Sequence, residues 1–564
     1  MLEVAGDEIQ TLSMDHHGLV ATVCKDLKIA DRIDKRLGVN DQRIVSPGQS
    51  VVAMILNGLG FTNRRLYLTH QFFATKPVER LLDANIKADD LTDYTLGHTL
   101  DEIWAYGASK LFGEVAFETA LDNDLLGRMN HLDTTSLTVQ GEYKVEDESN
   151  VSDEPKVINI TNGYSKDHRP DLKQIVLSLV VNGPSAIPIW MEPLDGNSSD
   201  KASFHETIKK VQDFQKQIDL EKKFKWVADS ALYTKDRLLK NNDYTWLTRV
   251  PETIKEANLL LEQSDQEITW INQEKGYKIA PFISYYGELE QRWLLIFSEQ
   301  AYKREKHTLE KRLKKKEIAL KKALWHLSKE LFVHKKDGQA ALIKLIKKYP
   351  LHTINSKIVA ELKHNKRGKP KADQKKAIVG YKINSSFVKN VEAIETLQNK
   401  KGRFILATND LDMVNYPDEY MLIEYKEQQD VEGGFRFIKD PWFMVDSIFL
   451  KSPKRIEALM MVMTLCLMVY NVAQFKLRET LKENNSTLPN QLGKPIKNPT
   501  LRWIFQIFEG ISIVRFYKKT IEGPVREIIT NLNILRQKII IYFGETACKM
   551  YGVIQTNCLE GLGM

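Results

Sequence analysis

The chain has 564 residues, 43% apolar and 27% charged, with a net charge of +7. Those proportions exclude a disordered or collagen-like chain, and the length points to about three or four domains. The four cysteines, Cys24, Cys466, Cys548 and Cys558, form no CxxC pair, which excludes a disulfide framework and a structural zinc site and fits a reducing cytoplasm.

The opening MLEVAGDEIQ lacks a basic stretch followed by an apolar run, so no secretory signal is expected. Residues 1 to about 127 read as helical. Positions 19–37 have helical apolar spacing, 51–59 read as a buried helix, and LTDYTLGHTLDEIWAYGASKLFGEVAFETAL supplies two amphipathic helices. No strand alternation stands out there. The doublet His16-His17 has no nearby ligand-type residues and reads as surface.

The pattern then changes. NHLDTTSLTV (130–139), KQIVLSLVV (173–181) and IPIWMEPLDG (187–196) are rich in β-branched and aromatic residues and are separated by turn-formers. A helix, SFHETIKKVQDFQKQI, follows. Next come a strand KFKWVADSAL (223–232), a short helix TKDRLLKNN and a fifth strand YTWLTRVP (244–251). Three adjacent strands followed by strand–helix alternation predict an α/β fold, a mixed sheet with helices on its faces.

From 252 to about 402 the regularity breaks. ITWIN and QRWLLIF read as strands, and a long helix spans about 301–331. Its Leu313, Leu320 and Leu327 repeat every seven residues, as do Leu324 and Leu331. That spacing predicts a coiled-coil-like seam, with AALIKLIKKY as the returning helix. Residues 301–376 hold 24 Lys or Arg against 7 Asp or Glu, a balance of +17 that leaves −10 for the rest of the chain. Positive charge this local suits a surface that meets a polyanion, although a solvated helical arm has the same composition. A basic loop, HNKRGKPKADQKK, comes next, and strand character returns at 402–410.

In YKEQQDVEGGFRFIKDP the residues Tyr425, Gln428, Glu432 and Lys439 fall at offsets of 0, 3, 7 and 14, one side of a helix. The apolar Val431, Phe435 and Ile438 between them predict a partly buried segment. ALMMVMTLCLMVY (458–470) is shorter than the roughly 18–20 residues of a membrane span and reads as a buried helix. The region from about 476 onward reads as helical.

Asp133 and Asp229 lie in apolar, strand-like runs, and charged residues are rarely buried without a partner. Taken alone, each reads as a cap on the turn at its strand's end. With Glu432 they form a carboxylate set of the kind that holds two Mg²⁺ or Mn²⁺ ions for phosphodiester chemistry. His131, two residues before Asp133, reads as structural.

The segments HLDTTSL (131–137), GYSKDHRPDLKQ (163–174), KWVADSALYT (225–234), WLTRVP (246–251) and Y-(2)-Q-(3)-E-(6)-K (425–439) together resemble the DDE transposases of bacterial insertion sequences. The likeness is to the IS4-like type, and most closely to the IS1634 group. It covers nearly the whole chain, and 49–82 also resembles that group's N-terminal helical domain. It implies an RNase H-like mixed sheet with a large insertion domain, flanked by helical N- and C-terminal regions. The segments would be 1–127 for DNA binding, 128–251 and 403–475 for catalysis, 252–402 for the insertion, and 476–564 for dimerisation.

By the same resemblance Asp133, Asp229 and Glu432 would be catalytic and hold two Mg²⁺ or Mn²⁺ ions. Tyr425, Gln428 and Lys439 would contact DNA phosphates. Gln428 stands where the family signature has arginine, which removes a charge and a bidentate fork. Arg64 and Arg65 are candidates for reading terminal inverted repeats, and Arg367 and Lys369 for sequence-independent phosphate contact. The implied partners are terminal-repeat DNA, target DNA and a second copy in a homodimer, in the bacterial cytoplasm at the nucleoid. No membrane and no nucleotide cofactor are implied, and no GxxxxGK(S/T) loop is present. Two rivals share the carboxylates: a metal-dependent nuclease without strand transfer, and a non-catalytic DNA-binding protein derived from a transposase.

Overall fold

The structure is a computed structural model that describes residues 8–60, 68–139, 141, 143, 157–165, 169–238, 243–363, 376–440, 450–519 and 521–554. Two compact units divide the chain: residues 1–232 with 424–564, and residues 233–423. Arg64, Arg65, Arg367 and Lys369 lie outside the described residues.

The first unit opens with β1 (Glu8–Ser13), a strand the sequence did not announce. Helices α1 (His17–Asp26), α2 (Ile29–Leu37), α3 (Pro47–Gly58), α4 (Thr69–Phe73), α5 (Val78–Leu81), α6 (Asp93–Tyr106) and α7 (Ala108–Asp122) follow. The single helix expected over 19–37 is two, because Lys28 adopts a left-handed conformation (φ 53°, ψ 39°) between them. α3 starts where its sequence dictates, with Ser46 and Gln49 forming a capping box ahead of Pro47.

Then come β2 (Met129–Val139), β3 (Lys173–Asn182), β4 (Ile187–Leu194), α8 (Asp200–Gln217) and β5 (Lys225–Ala228). β2 is antiparallel to β3 and β3 to β4, whereas β5 runs parallel to β2. This is the mixed sheet that the strand pattern predicts. The strand expected over 223–232 is shorter, since the chain turns into a 3-10 segment at Ser230–Leu232.

The second unit holds α9 (Lys235–Leu238), β6 (Trp246–Arg249), α10 (Lys255–Glu262), β7 (Ile271–Gln273), β8 (Tyr277–Ser284), β9 (Gln291–Ser298), α11 (Glu299–Lys329), α12 (Lys335–Lys348), β10 (His352–Lys363), β11 (Ala377–Lys389), α13 (Val391–Asn399), β12 (Arg403–Thr408) and most of α14 (Asp418–Glu427). Strands β6, β12, β9, β8 and β7 pair antiparallel in that order. The leucine seam of α11 is buried at Leu313, Leu320, Leu324 and Leu327, but its cover is not a coiled-coil partner. Leu320 and Leu324 pack with Tyr349, Ile354 and Phe387, and Leu327 packs with Phe332 and Ile383. The antiparallel ribbon β10–β11 therefore closes the seam, and α12 adds Leu342 and Leu345. Leu331, expected in the seam, is exposed.

The first unit resumes with α15 (Gln429–Ile438), α16 (Pro453–Glu483), β13 (Leu488–Pro489), β14 (Pro495–Ile496), α17 (Leu501–Ile507), β15 (Ser512–Tyr517), β16 (Pro524–Thr530), α18 (Ile534–Tyr542) and α19 (Glu545–Tyr551). The C-terminal region is thus not wholly helical, because β15 pairs antiparallel with β16 and with β1. α16 is 31 residues long and, by length and composition, apolar enough to cross a membrane; 83% of its most apolar window is nevertheless buried in the protein. It packs against α1, α3, α6, α7 and β4.

His16 and His17 are buried, not surface residues. Their rings stack, and His16 also stacks on Phe505. Burial pushes the His16 pKa down to about 4 and holds that of His17 well below its ordinary value. His131 is likewise pushed to about 4 by burial. The folded state thus favours neutral rings, so their contribution is full above the unfolded pKa near 6.5 and is lost as pH falls below it. For His16 the loss reaches on the order of 3 kcal/mol by pH 4. Glu457, pushed up to about 7 by burial, acts in the opposite direction. Three histidines outweigh one carboxyl, so the urea midpoint of the first unit is expected to fall between pH 7 and pH 5. A His16→Gln, His17→Gln double variant should show a shallower fall; equal slopes for both proteins would refute this assignment.

Candidate active site

The parallel register of β2 and β5 runs from Met129–Lys225 to Leu132–Ala228. Asp133 and Asp229 are the next residues on these neighbouring strands, which lie about 4.8 Å apart as paired strands do. Asp133 sits mid-strand, not at a strand end, and its Oδ1 accepts a hydrogen bond from the Thr134 N–H at 2.7 Å. Asp229 does cap a turn: its Oδ1 accepts from the Ala231 N–H at 2.8 Å. Both side chains are half-buried.

Asp133 faces Leu179 across the antiparallel β2–β3 pair, so the two side chains share a face of the sheet. α15 lies on that face. A Cβ built on Gly434 would come 3.0 Å from Leu467 Cδ2 and 3.7 Å from Leu179 Cδ2. Val431, Phe435 and Ile438 are buried with it, as their spacing predicts. Gly433 has nothing within 4 Å of its Cβ position. The two adjacent glycines therefore differ: one lets the helix sit close on its neighbours, the other leaves bare backbone on the far side.

The polar stripe does not ride on one helix. Tyr425 is in the last turn of α14, Gln428 is the turn residue between α14 and α15, Glu432 is in the first turn of α15, and Lys439 caps its C-terminus. Gln428 keeps helical angles (φ −57°, ψ −23°), so the break is slight. Tyr425, Gln428 and Lys439 are half-buried and Glu432 is exposed. Among the described residues no group of three His, Cys, Asp or Glu side chains is arranged to hold a metal ion. Asp133, Asp229 and Glu432 thus belong to adjoining elements of one unit, but their side chains as placed do not form a ligand set.

Two contacts here were not visible in the sequence. His131, on the same sheet face as Asp133, places Nε2 3.9 Å from Glu427 Oε2. Asp440, just past Lys439, is ion-paired with Arg502 and so ties the end of α15 to α17. No local motif marks either pair, because the partners are far apart in the chain.

A family model described as a domain of unknown function, DUF4277, matches residues 9–117. A search of curated proteins gives no match. Among solved structures, the chain is similar to one described as the cryo-EM structure of the piggyBac transposase synaptic complex with hairpin DNA. The TM-score is 0.35 at 10% identity, over 89% of this chain and 82% of that one. Likeness at this level carries no inference about function.

The two glycines make opposite predictions. Gly433→Ala gains helix propensity without a clash and is expected to stabilise the first unit by about 0.5–1 kcal/mol. Gly434→Val drives two methyl groups toward Leu467 and Leu179 and is expected to cost about 1–3 kcal/mol. Chemical denaturation of both variants checks this; destabilisation by Gly433→Ala would show that α15 is seated otherwise.

Proposed function

We propose that the chain is a transposase of the DDE, IS4-like kind, which binds the terminal inverted repeats of an insertion sequence, cleaves its ends and joins them to target DNA. One observation carries the reading: Asp133 and Asp229 are the residues that follow, side by side, the paired register of β2 and β5, and the helix bearing Glu432 packs on the sheet face of Asp133. In the proposed course water attacks the phosphodiester at the element's end and a 3′-OH leaves. That hydroxyl then attacks a target phosphodiester, forming one P–O bond and breaking another, so no ATP is required. Tyr425 and Gln428 would donate hydrogen bonds to phosphate oxygens and Lys439 would supply charge. Holding two ends at once implies a homodimer on DNA.

The donors are right in kind for Mg²⁺ or Mn²⁺, three hard carboxylates. They are not right in arrangement. No step is therefore assigned to a metal, and the need for one is read from the assay. Gln428 in place of arginine favours a second reading as a DNA-binding protein without catalysis.

A strand-transfer assay separates these readings. Pre-cut ends taken from the DNA flanking the coding sequence are incubated with supercoiled target and protein, with Mg²⁺, Mn²⁺ or chelator. Joining that needs the divalent ion and falls by on the order of 10³-fold or more in Asp133→Asn, Asp229→Asn and Glu432→Gln is expected. Hydrolysis without joining favours a nuclease, and binding alone favours the non-catalytic reading. Gln428→Arg, which introduces a charge-assisted fork, is expected to tighten end binding about tenfold.

A further inference from the structure

α11 has 31 residues, a rod of about 46 Å. Its leucine seam is covered by the β10–β11 ribbon, so its other side is what the second unit offers outward. Seven-residue steps join Lys311, Ile318 and Trp325 in one row and Lys315, Lys322 and Lys329 in the next. At 100° per residue both rows lie roughly opposite the seam. All four lysines are exposed. Ile318 is 69% and Trp325 58% exposed, although large apolar side chains on a helix are ordinarily turned inward. The Lys329 ammonium stands 5.8 Å from the Trp325 ring centroid, which holds the indole within the basic stripe. The helix's own ion pairs, Lys303–Glu299 and Lys321–Glu317, lie to one side of these rows.

We infer that this face of α11 is a duplex-DNA rail: the lysine row follows the phosphates, and Ile318 and Trp325 press against the sugar and base edges between them. The inference rests on the DNA-processing reading above and adds to it which face binds and with what. Charge decides the occupant. Neither row contains a carboxylate, so a second copy of the face would set lysine against lysine, whereas DNA presents one negative charge per about 1.7 Å of its axis. An aromatic set among lysines adds stacking or apolar contact that is tolerant of sequence.

The test uses the full chain and a labelled 30-base-pair duplex of arbitrary sequence. Anisotropy is followed from 50 to 200 mM KCl for wild type and for a Lys315→Gln, Lys322→Gln, Lys329→Gln variant. Loss of three phosphate contacts is expected to reduce the log–log salt slope by about 2.7. DNA is also expected to lower acrylamide quenching of tryptophan emission in wild type, and Trp325→Phe should abolish that protection. Wild-type binding with an unchanged slope in the lysine variant, or undiminished protection in Trp325→Phe, would overturn the rail and leave the DNA-processing reading standing. A lysine variant that binds DNA normally but sediments as a smaller species than wild type would assign the face to self-association and also overturn it. No duplex binding by wild type would overturn both.

Discussion

The parallel pairing of β2 with β5 is the constraint on which the candidate site depends. Parallel neighbours cannot be joined by a tight turn, so the chain has to cross over the sheet between them, and α8 is part of that crossover. The pairing brings together two aspartates that are 96 positions apart in the sequence. Each accepts a hydrogen bond from a backbone N–H, that of Thr134 or Ala231. The strand pair is held by its surroundings, and here those are the buried Leu132, Val227 and Ala228 just before the two aspartates.

The seating of α15 brings the helix that bears Glu432 against β2 and β3. Gly434 allows the helix to approach Leu467 and Leu179, and the Asp440–Arg502 pair fixes its far end. Glu432 stands at the border of the buried face, about 100° around the helix from Val431. Its carboxylate is therefore carried by a rigid element while remaining exposed to solvent.

Much of this was legible in the residues and some of it was not. Runs such as KQIVLSLVV are dense enough in β-branched side chains to declare themselves, and β2, β3, β4 and α8 fall where the sequence puts them. β1 and β15 did not, because their pairing partners lie some 500 residues apart and neither is buried on both faces. The β10–β11 ribbon was hidden for a related reason: one face is open, and polar residues such as Asn355, Ser356 and Lys357 dilute its alternation. The heptads of α11 correctly announced an apolar seam, yet a seam states only that something covers it, and a ribbon serves as well as a helix. The burial of His16-His17 was invisible because nothing beside the doublet in sequence foretells Phe505 stacked on it. For the site, the order of Asp133, Asp229 and Glu432 along the chain was readable. Whether their side chains converge depends on rotamers and backbone placement that no spacing encodes.

The route of the chain through the first unit also sets the order in which it can be built. α1 packs against α16 and α19, and the Leu19 N–H donates to the Tyr551 hydroxyl across 532 positions. A ribosome adding roughly 5–20 residues per second makes α16 tens of seconds after α1 has emerged. The second unit, continuous from 233 to 423, meets no such delay and is complete before its neighbour's central helix exists. Through that interval the apolar faces of the N-terminal helices stand uncovered on the nascent chain, so assembly of the first unit is post-translational in character and dependent on whatever shields those faces in the meantime.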